Sequence, residues 1–425
     1  MRFFVVSLGA ALASAAVGQG LTLEQALEMA RTNNGDVRSA ALQYQASRAD
    51  ARAAYSSYFP LVVPSFQYDV TRIDTYTGPF RGLFEDTSST SGVTASWLIA
   101  DSGFRDASYR RAALSRDITG LNALTALRNV LFGVHRAFYE ALRSGELLKV
   151  QQATLSRAEE IERQARAFAD QGAGAQKDVL QATADKLNAK ASELAARNGV
   201  STSFADLKAI LGLPRGEELD ALSAPEAVQV AAFDITLEQA MSDGLAHRPD
   251  LVAQRYRVDA QRQSVRLARI DEGLTWTVDA RHTRAFSPDP FDSSALVFQV
   301  SIPIFDGLRS RSNVQSSRFV LESERATLTQ AERDAIAEIE SSYKAFAQNR
   351  ERLEAASAAR EAARLNFQAA FESRQEGAGD LIEVLTAQVS LATAESNYIE
   401  AYYDTLISRV QLMLVTGQEL PGERP

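Results

Sequence analysis

The chain has 425 residues, 45% apolar and 23% charged, which supplies a sizeable core and is too apolar for a disordered polymer. Its 54 acidic residues against 45 basic leave a formal charge of −9, which argues against a phosphate-facing surface and so against nucleic acid as a partner. There is no cysteine, and the three histidines, at 135, 247 and 282, share no ligand-like spacing, so disulfides, thiolate metal sites and cysteine nucleophiles are excluded.

In chain order, Met1-Arg2 leads into an apolar run from Phe3 to Ala13, then small residues, with Ala16-Val17-Gly18 as a cleavage site before Gln19. This is the three-part pattern of a secretory signal peptide over residues 1–18. An uncleaved anchor is the alternative, but Phe3–Val17 is 15 residues and a membrane helix needs about 20. No cysteine stands at the site to carry the usual bacterial lipid anchor. Nowhere else is an apolar run long enough to cross a membrane. An exported chain of this kind is then periplasmic, secreted, or carried in an outer membrane as strands, because lipid admits only helices and closed barrels.

Beyond that segment the sequence is written twice. Leu21-Thr22-Leu23-Glu24-Gln25-Ala26 recurs as Ile235-Thr236-Leu237-Glu238-Gln239-Ala240, and Asp36-Val37 as Asp250-Leu251, at an offset of 214. The offset then falls to 205. Leu98-Ile99-Ala100-Asp101 matches Pro303-Ile304-Phe305-Asp306, Gly172-Ala173-Gly174 matches Gly377-Ala378-Gly379, Asp178-Val179-Leu180 matches Glu383-Val384-Leu385, and Leu211-Gly212 matches Thr416-Gly417. The nine-residue difference places an insertion in the first copy between Val37 and Leu98. The expected organisation is a first repeat over 19–214, a linker over 215–234, a second repeat over 235–417 and a short tail over 418–425.

Each copy opens with a short helix behind a threonine cap, Thr22 or Thr236, and a second helix starting near Asp36 or Pro249. A β-hairpin follows, at about 62–101 in the first copy and 274–305 in the second. Thr75–Gly92 and Ser287–Ser294 carry the Gly, Pro, Ser, Thr and Asp of exposed loops. Long helical hairpins then occupy about 103–212 and 307–416. No proline interrupts Pro79 to Pro214 or Pro303 to Pro421, and both runs are rich in strong helix formers. Apolar residues at 118, 121, 124, 127, 131, 134 and 138 make one helical stripe. A helix from Phe104 to Asp170 would rise on the order of 100 Å at 1.5 Å per residue. Ala355, Ala356, Ala358, Ala359, Ala362, Ala363, Ala369 and Ala370 form a small-residue surface, which fits a helix packed on both flanks as in a cylinder wall.

The hairpin segments alternate. Phe66, Tyr68 and Val70 alternate with Ser65, Gln67, Asp69 and Thr71, and Val93, Ala95, Trp97 and Ile99 with Thr94 and Ser96. In the second copy Trp276, Val278 and Ala280 alternate with Thr277, Asp279 and Arg281, and Leu296, Phe298, Val300 and Ile302 with Gln299 and Ser301. This is the apolar-out, polar-in pattern of transmembrane barrel strands about ten residues long, with both tryptophans where interfacial belts lie. Lipid-facing candidates are Phe66, Tyr68, Val70, Trp97, Trp276, Val278, Phe298 and Val300. Amphipathic hairpins on a soluble core would alternate in the same way, and long helices alone would suit a soluble periplasmic coiled-coil adaptor or scaffold. Four strands cannot close a barrel, since the smallest have about eight, so membrane strands require several protomers to pool them. Two, three or four copies would each close.

The duplicated order of hairpins, long helices and glycine turns resembles the TolC family of outer-membrane efflux channels. The resemblance rests on the Leu-Thr-Leu-Glu-Gln-Ala opening at 21, its counterpart at 235, and Ser301-Ile302-Pro303-Ile304-Phe305-Asp306-Gly307, which looks like that family's strand-to-helix junction. It also rests on the tips Gly172–Ala182 and Gly377–Ala387. It implies a mainly α fold, in which duplicated helical hairpins build a trimeric α-barrel and four strands per protomer join a shared twelve-stranded barrel. It further implies a homotrimer in outer-membrane lipid of a Gram-negative cell. The trimer would be a passive exit duct of a tripartite efflux pump or type I secretion system. A periplasmic adaptor (a membrane fusion protein) and an inner-membrane transporter would open it at its tips.

In the family, acidic residues near the second-copy tip ring the constriction. Here the matching position is Glu383, and the second acidic position is Thr386. Gate and selectivity candidates are therefore Glu383, Asp380 and Asp178. Asp380-Leu381-Ile382-Glu383 also fits a capping box, and Asp178 suits a first helical turn. Gly172, Gly174, Gly377 and Gly379 read as turn-makers and as the adaptor-docking tips, and Asp101 and Asp306 as N-caps of the long helices. No phosphate loop, nucleophile elbow or metal motif is present, so no catalytic residue, cofactor or metal is assigned.

Overall fold

The structure, a computed structural model, describes residues 20–77, 80–172, 174–214, 219, 221–223, 235–271, 273–287, 289–376 and 379–423. The expected signal peptide, most of the 215–234 linker and Gly377 lie outside these residues.

Two copies of one element order follow each other. The first is α1 (Leu23–Asn33), α2 (Gly35–Ser56), β1 (Leu61–Thr77), β2 (Phe80–Ala100), α3 (Phe104–Asp170) and α4 (Gln176–Leu211). The second is α5 (Leu237–His247), α6 (Pro249–Ile270), β3 (Thr275–Ser287), β4 (Phe291–Ser301), α7 (Arg309–Gln375) and α8 (Leu381–Val415). The helices α3 and α7 have 67 residues each. No helix among the described residues is long and apolar enough to cross a membrane.

The same local devices fold each copy. Thr22 caps α1 through a bond from the Gln25 N–H while the Gln25 side chain accepts from the Thr22 N–H. Thr236 and Gln239 repeat that reciprocal pair at α5. Each box satisfies two backbone donors that a helix start leaves free. The far ends also match. Gly212 and Gly417 adopt left-handed φ of 68° and 72°. Leu213 N–H bonds back to the Lys208 carbonyl, and Gln418 N–H to that of Met413, so both long hairpins end in a glycine cap that closes orphan carbonyls. At Gly212 any side chain would also run into the Asn33 carbonyl.

The chain divides into two compact units. One comprises Met1–Arg38, Ala126–Gly244 and Ala337–Pro425, and the other Ser39–Thr125 and Leu245–Ile336. The first holds the larger core. Ala26, Leu27 and Ala30 of α1 pack with Leu131, Val134 and Phe138 of α3, Leu207 and Leu211 of α4, and Leu406 and Val410 of α8. Leu131, Val134 and Phe138 are the buried end of the helical stripe read from the sequence. The tail joins this core: Leu420 is buried in it, and Glu423 makes a 2.9 Å ion pair with Arg128 in which both side chains are nearly covered. Of the alanines at 355–370, only Ala370 is buried in a single chain.

The second unit holds the sheet, a four-stranded antiparallel meander in the order β1-β2-β3-β4. Its strands correct the sequence reading in one respect: Thr75–Gly92 and Ser287–Ser294 are not long loops. β1 continues to Thr77 and β2 begins at Phe80, paired without interruption from Leu61↔Ser96 to Thr77↔Phe80. The run Thr87 to Ser91 resembled a loop in composition, yet it lies opposite Val70 to Phe66 as ladder. Pairing satisfies backbone groups whatever the side chain, and small hydroxylic residues fit a pleat. The first hairpin also absorbs the insertion: β1 and β2 have 17 and 21 residues against 13 and 11 in β3 and β4.

Candidate functional site

Strand register decides what the alternation does. Phe66 lies opposite Ser91, Tyr68 opposite Ser89 and Val70 opposite Thr87. Trp97 pairs with Val278, and Val278 with Phe298, while Trp276 pairs with Val300 and Ala280 with Leu296. Because side chains alternate between faces, directly paired residues share a face. One face therefore carries Val62, Phe66, Tyr68, Val70, Trp97, Val278, Leu296, Phe298 and Val300. The other carries Ser65, Gln67, Asp69, Thr94, Ser96, Asp279, Arg281 and Gln299. Phe66, Tyr68, Val70, Trp97, Trp276, Phe298 and Val300 are exposed, and Val278 is half-covered. The outer edges of β1 and β4 pair with no strand among the described residues.

Where sheet meets helix, Asp101 accepts bonds from the N–H groups of Gly103 and Arg105, at 3.1 and 2.9 Å. The Arg105 guanidinium returns to Asp101 at 2.9 Å and donates to the carbonyls of Leu98 and Ile99, tying the last turn of strand to the first turn of α3. Asp306 takes the equivalent place at α7, accepting from the Ser310 N–H at 2.8 Å and from its hydroxyl. Those bonds hold the Asp306 carboxyl below its ordinary range. The capping role expected of both aspartates is thus present. The arginine fastening at 105 was missed, although its Asp-x-x-x-Arg spacing was visible.

The two helical tips, α3–α4 and α7–α8, share one cluster: Ile161, Ala165, Val179 and Ala182 with Ala370, Leu381, Val384 and Ala387. Gly172 turns with φ +72°, and Gly174 and Gly379 pass so close to their own helices that a Cβ would crowd Ala169 and Arg374 backbone. Asp380 caps α8 by accepting from the Ile382 N–H at 3.4 Å. The capping box expected here is only half formed. Among the described residues no bond returns from the Asp380 N–H to Glu383, which stands exposed beside the cap. Thr386 binds back to the Ile382 carbonyl at 2.7 Å and offers no charge. Asp178 is half-covered in the first turn of α4.

Two tip residues had no sequence signal strong enough to single them out. Glu162 of α3 accepts from Lys186 and Thr183 of α4, at 2.7 and 3.0 Å, and from Arg166 on its own helix at 2.7 Å. The lysine bond first, then Thr183 and Arg166, holds its carboxyl near 2. Arg374 spans the two tips, lying over the Phe168 ring at 5.2 Å while donating to the Gly379 carbonyl at 3.1 Å. Farther up, His135 is buried beside Tyr139, and burial, only partly offset by the Pro421 backbone, pushes its pKa down to about 4. Among the described residues no three potential metal ligands converge.

An amphipathic sheet with two open edges, and paired helical tips with an exposed carboxylate, belong to a known architecture. The family described as "Outer membrane efflux protein" matches this chain over residues 26–213 and 240–418. The outer membrane efflux protein BepC of Brucella suis is 26% identical over 413 residues, covering 93% of this chain and 85% of that protein. The outer membrane protein TolC of Vibrio cholerae is 22% identical over 447 residues, covering 98% and 95%. The solved Campylobacter jejuni CmeC outer membrane channel superposes with a TM-score of 0.83 at 17% identity, covering 93% of this chain and 85% of that one. These findings set aside the soluble scaffold. The chain belongs to the outer membrane efflux protein family, and is an efflux channel of the Gram-negative outer membrane whose helical portion is periplasmic.

Proposed function

We propose that three copies of this chain close into one duct, with the four-stranded sheets forming a twelve-stranded barrel and the long helices a tunnel wall. The observation that carries this is the sheet. Its apolar face is continuous across four strands, and its outer edges at β1 and β4 are open. Lipid supplies no partner for an open edge, so such a sheet is stable there only when copies complete it. Phe66, Tyr68, Val70, Trp97, Trp276, Val278, Phe298 and Val300 then face lipid. The polar face lines the lumen. Exposed Leu180, Leu187 and Leu194 recur every seven residues on α4, and the exposed alanine surface of α7 admits close helices; both suit a wall of neighbouring helices.

The duct is passive, and its partners are a periplasmic adaptor and an inner-membrane transporter, in a tripartite efflux pump or a type I secretion system. The adaptor docks at the glycine tips, Gly172, Gly174, Gly377 and Gly379. Support comes from an open groove of about 1470 Å³ that begins at the tips and is lined by Lys177 and Gln181 of α4, Ala359 of α7, and Ile382 and Thr386 of α8. Threefold symmetry repeats Glu383, with Asp380 and Asp178 beside it, as the charged ring of the gate. Purification with and without detergent tests the whole. A detergent-dependent particle of three chain masses is expected, and a monomer that stays soluble without detergent overturns the proposal.

A further inference from the structure

The segment Pro303–Leu308 between β4 and α7 sets large apolar side chains in the open. Ile304 and Phe305 are 94% and 82% exposed, and Leu308 beside them is exposed at a left-handed φ of 69°. Water gives three large apolar side chains no reason to stand together in the open. The start of β1 repeats the pattern: Phe59, just before it, and Leu61, its first residue, are 60% and 66% exposed.

The duplication says what covers them. In the first copy, the matching junction, residues 98–103, is paired within the chain to the residues that lead into β3, and Asp101 in it is buried. Ala100 pairs with Trp276, the Ser102 hydroxyl donates to the Leu274 carbonyl at 3.0 Å, and Gly273 lies so close to Ser102 that a Cβ there would meet its side chain at 2.6 Å. Shifting 98–103 by 205 gives 303–308. Shifting 273–276 by 214 gives 59–62, and β1 and β3 indeed begin 214 apart, at 61 and 275. In one chain these two segments lie at opposite edges of the sheet, about 14 Å apart at the usual strand spacing. The strands alternate in direction, so β4 ends at the same end of the sheet where β1 begins. A second copy pairing its β1 edge with β4 would bring its own 59–62 onto 303–308.

We infer that Pro303–Leu308 of one protomer seats on Phe59–Val62 of the next, as the intermolecular counterpart of the internal seam. This rests on the proposed closure of the sheets and adds the side chains that lock it. Phe305 takes the place of Ala100, opposite Val62 in the place of Trp276. The sizes are exchanged and the sum is kept. Gly307 stands where Ser102 does, with nothing within 4 Å of its missing side chain, and faces Phe59 in the place of Gly273. A small residue meets a larger one at both seams, on opposite sides.

The chain has no cysteine, so an engineered pair reports alone. The double variant Phe305→Cys/Val62→Cys, oxidised in the membrane, is expected to run as covalent dimers and trimers on a non-reducing gel, while each single variant stays a monomer. Leu308→Cys/Phe59→Cys with a flexible bis-maleimide tests the same contact should the first pair not accumulate. A detergent-purified trimer in which neither pair links overturns the seam and leaves the channel standing. A chain that is monomeric in detergent overturns the closure of the sheets, and the seam with it.

Discussion

At the second tip, Asp380 and Glu383 divide the work that a capping box would have shared. Asp380 is occupied with the Ile382 N–H, while Glu383 is free in solvent one turn into α8. A charge repeated by symmetry around an aperture acts on passing ions through their summed field. Glu383→Gln is therefore expected to lower cation-over-anion selectivity in planar bilayer recordings, measured as the reversal potential in a salt gradient. Asp380→Asn, which keeps a capping oxygen, should preserve the helix start and add a smaller loss. Unchanged selectivity in the pair would remove Glu383 from the gate.

His135 behaves differently because it is buried, and the Pro421 backbone offsets little of that burial. Its pKa near 4 in the fold, against about 6.5 in the unfolded chain, means that the unfolded chain binds the proton more readily. Stability is complete above about pH 6.5 and is lost as pH falls toward 4, by about 3 kcal/mol at most. Melting temperatures of the detergent-solubilised protein from pH 7.5 to 4.5 should fall less steeply in His135→Leu than in the native chain. Equal slopes would mean that other groups carry the acid sensitivity. Neither His135 nor Glu162 was legible in the sequence, since burial and the approach of Lys186 are set by how helices meet, over separations that leave no local pattern.

At the scale of elements, local signals were reliable. Proline-free runs rich in alanine and leucine became α3 and α7, and the threonine caps and terminal glycines became repeated motifs at both ends of each copy. These features depend on a few neighbouring residues, so one sequence states them fully. The strands were legible as alternation but not in length, because Thr, Ser and Gly serve a loop or a pleat equally and pairing alone decides. Register then turns alternation into a testable asymmetry. Phe298 and Gln299 are neighbours on opposite faces of β4. In the proposed barrel Phe298→Arg places a charge against lipid, at about 2–4 kcal/mol near the midplane, whereas Gln299→Arg points to the lumen. Outer-membrane levels should drop for the first and hold for the second, by quantitative blotting of fractionated membranes; the reverse order would invert the faces.

At the scale of the whole molecule, export precedes assembly. The charged start, apolar run and small residues before Gln19 predict a mature chain beginning at Gln19, which intact mass of the membrane-extracted protein will read directly. A mass that retains residues 1–18 would make the segment an anchor. The duplication, the helix lengths, most of the capping chemistry and the amphipathic strands were legible in the residues alone, because all of them depend on periodicity and nearest neighbours. Three outcomes appear only in the folded chain: Phe66, Tyr68, Trp97, Val278 and Phe298 share one face, β1 and β4 keep edges that no described strand occupies, and the junction at Ile304 and Phe305 lacks the strand partner that its twin finds where Ala100 pairs with Trp276. Those outcomes depend on which distant segments lie side by side, which a repeat in sequence proposes and only pairing in space selects.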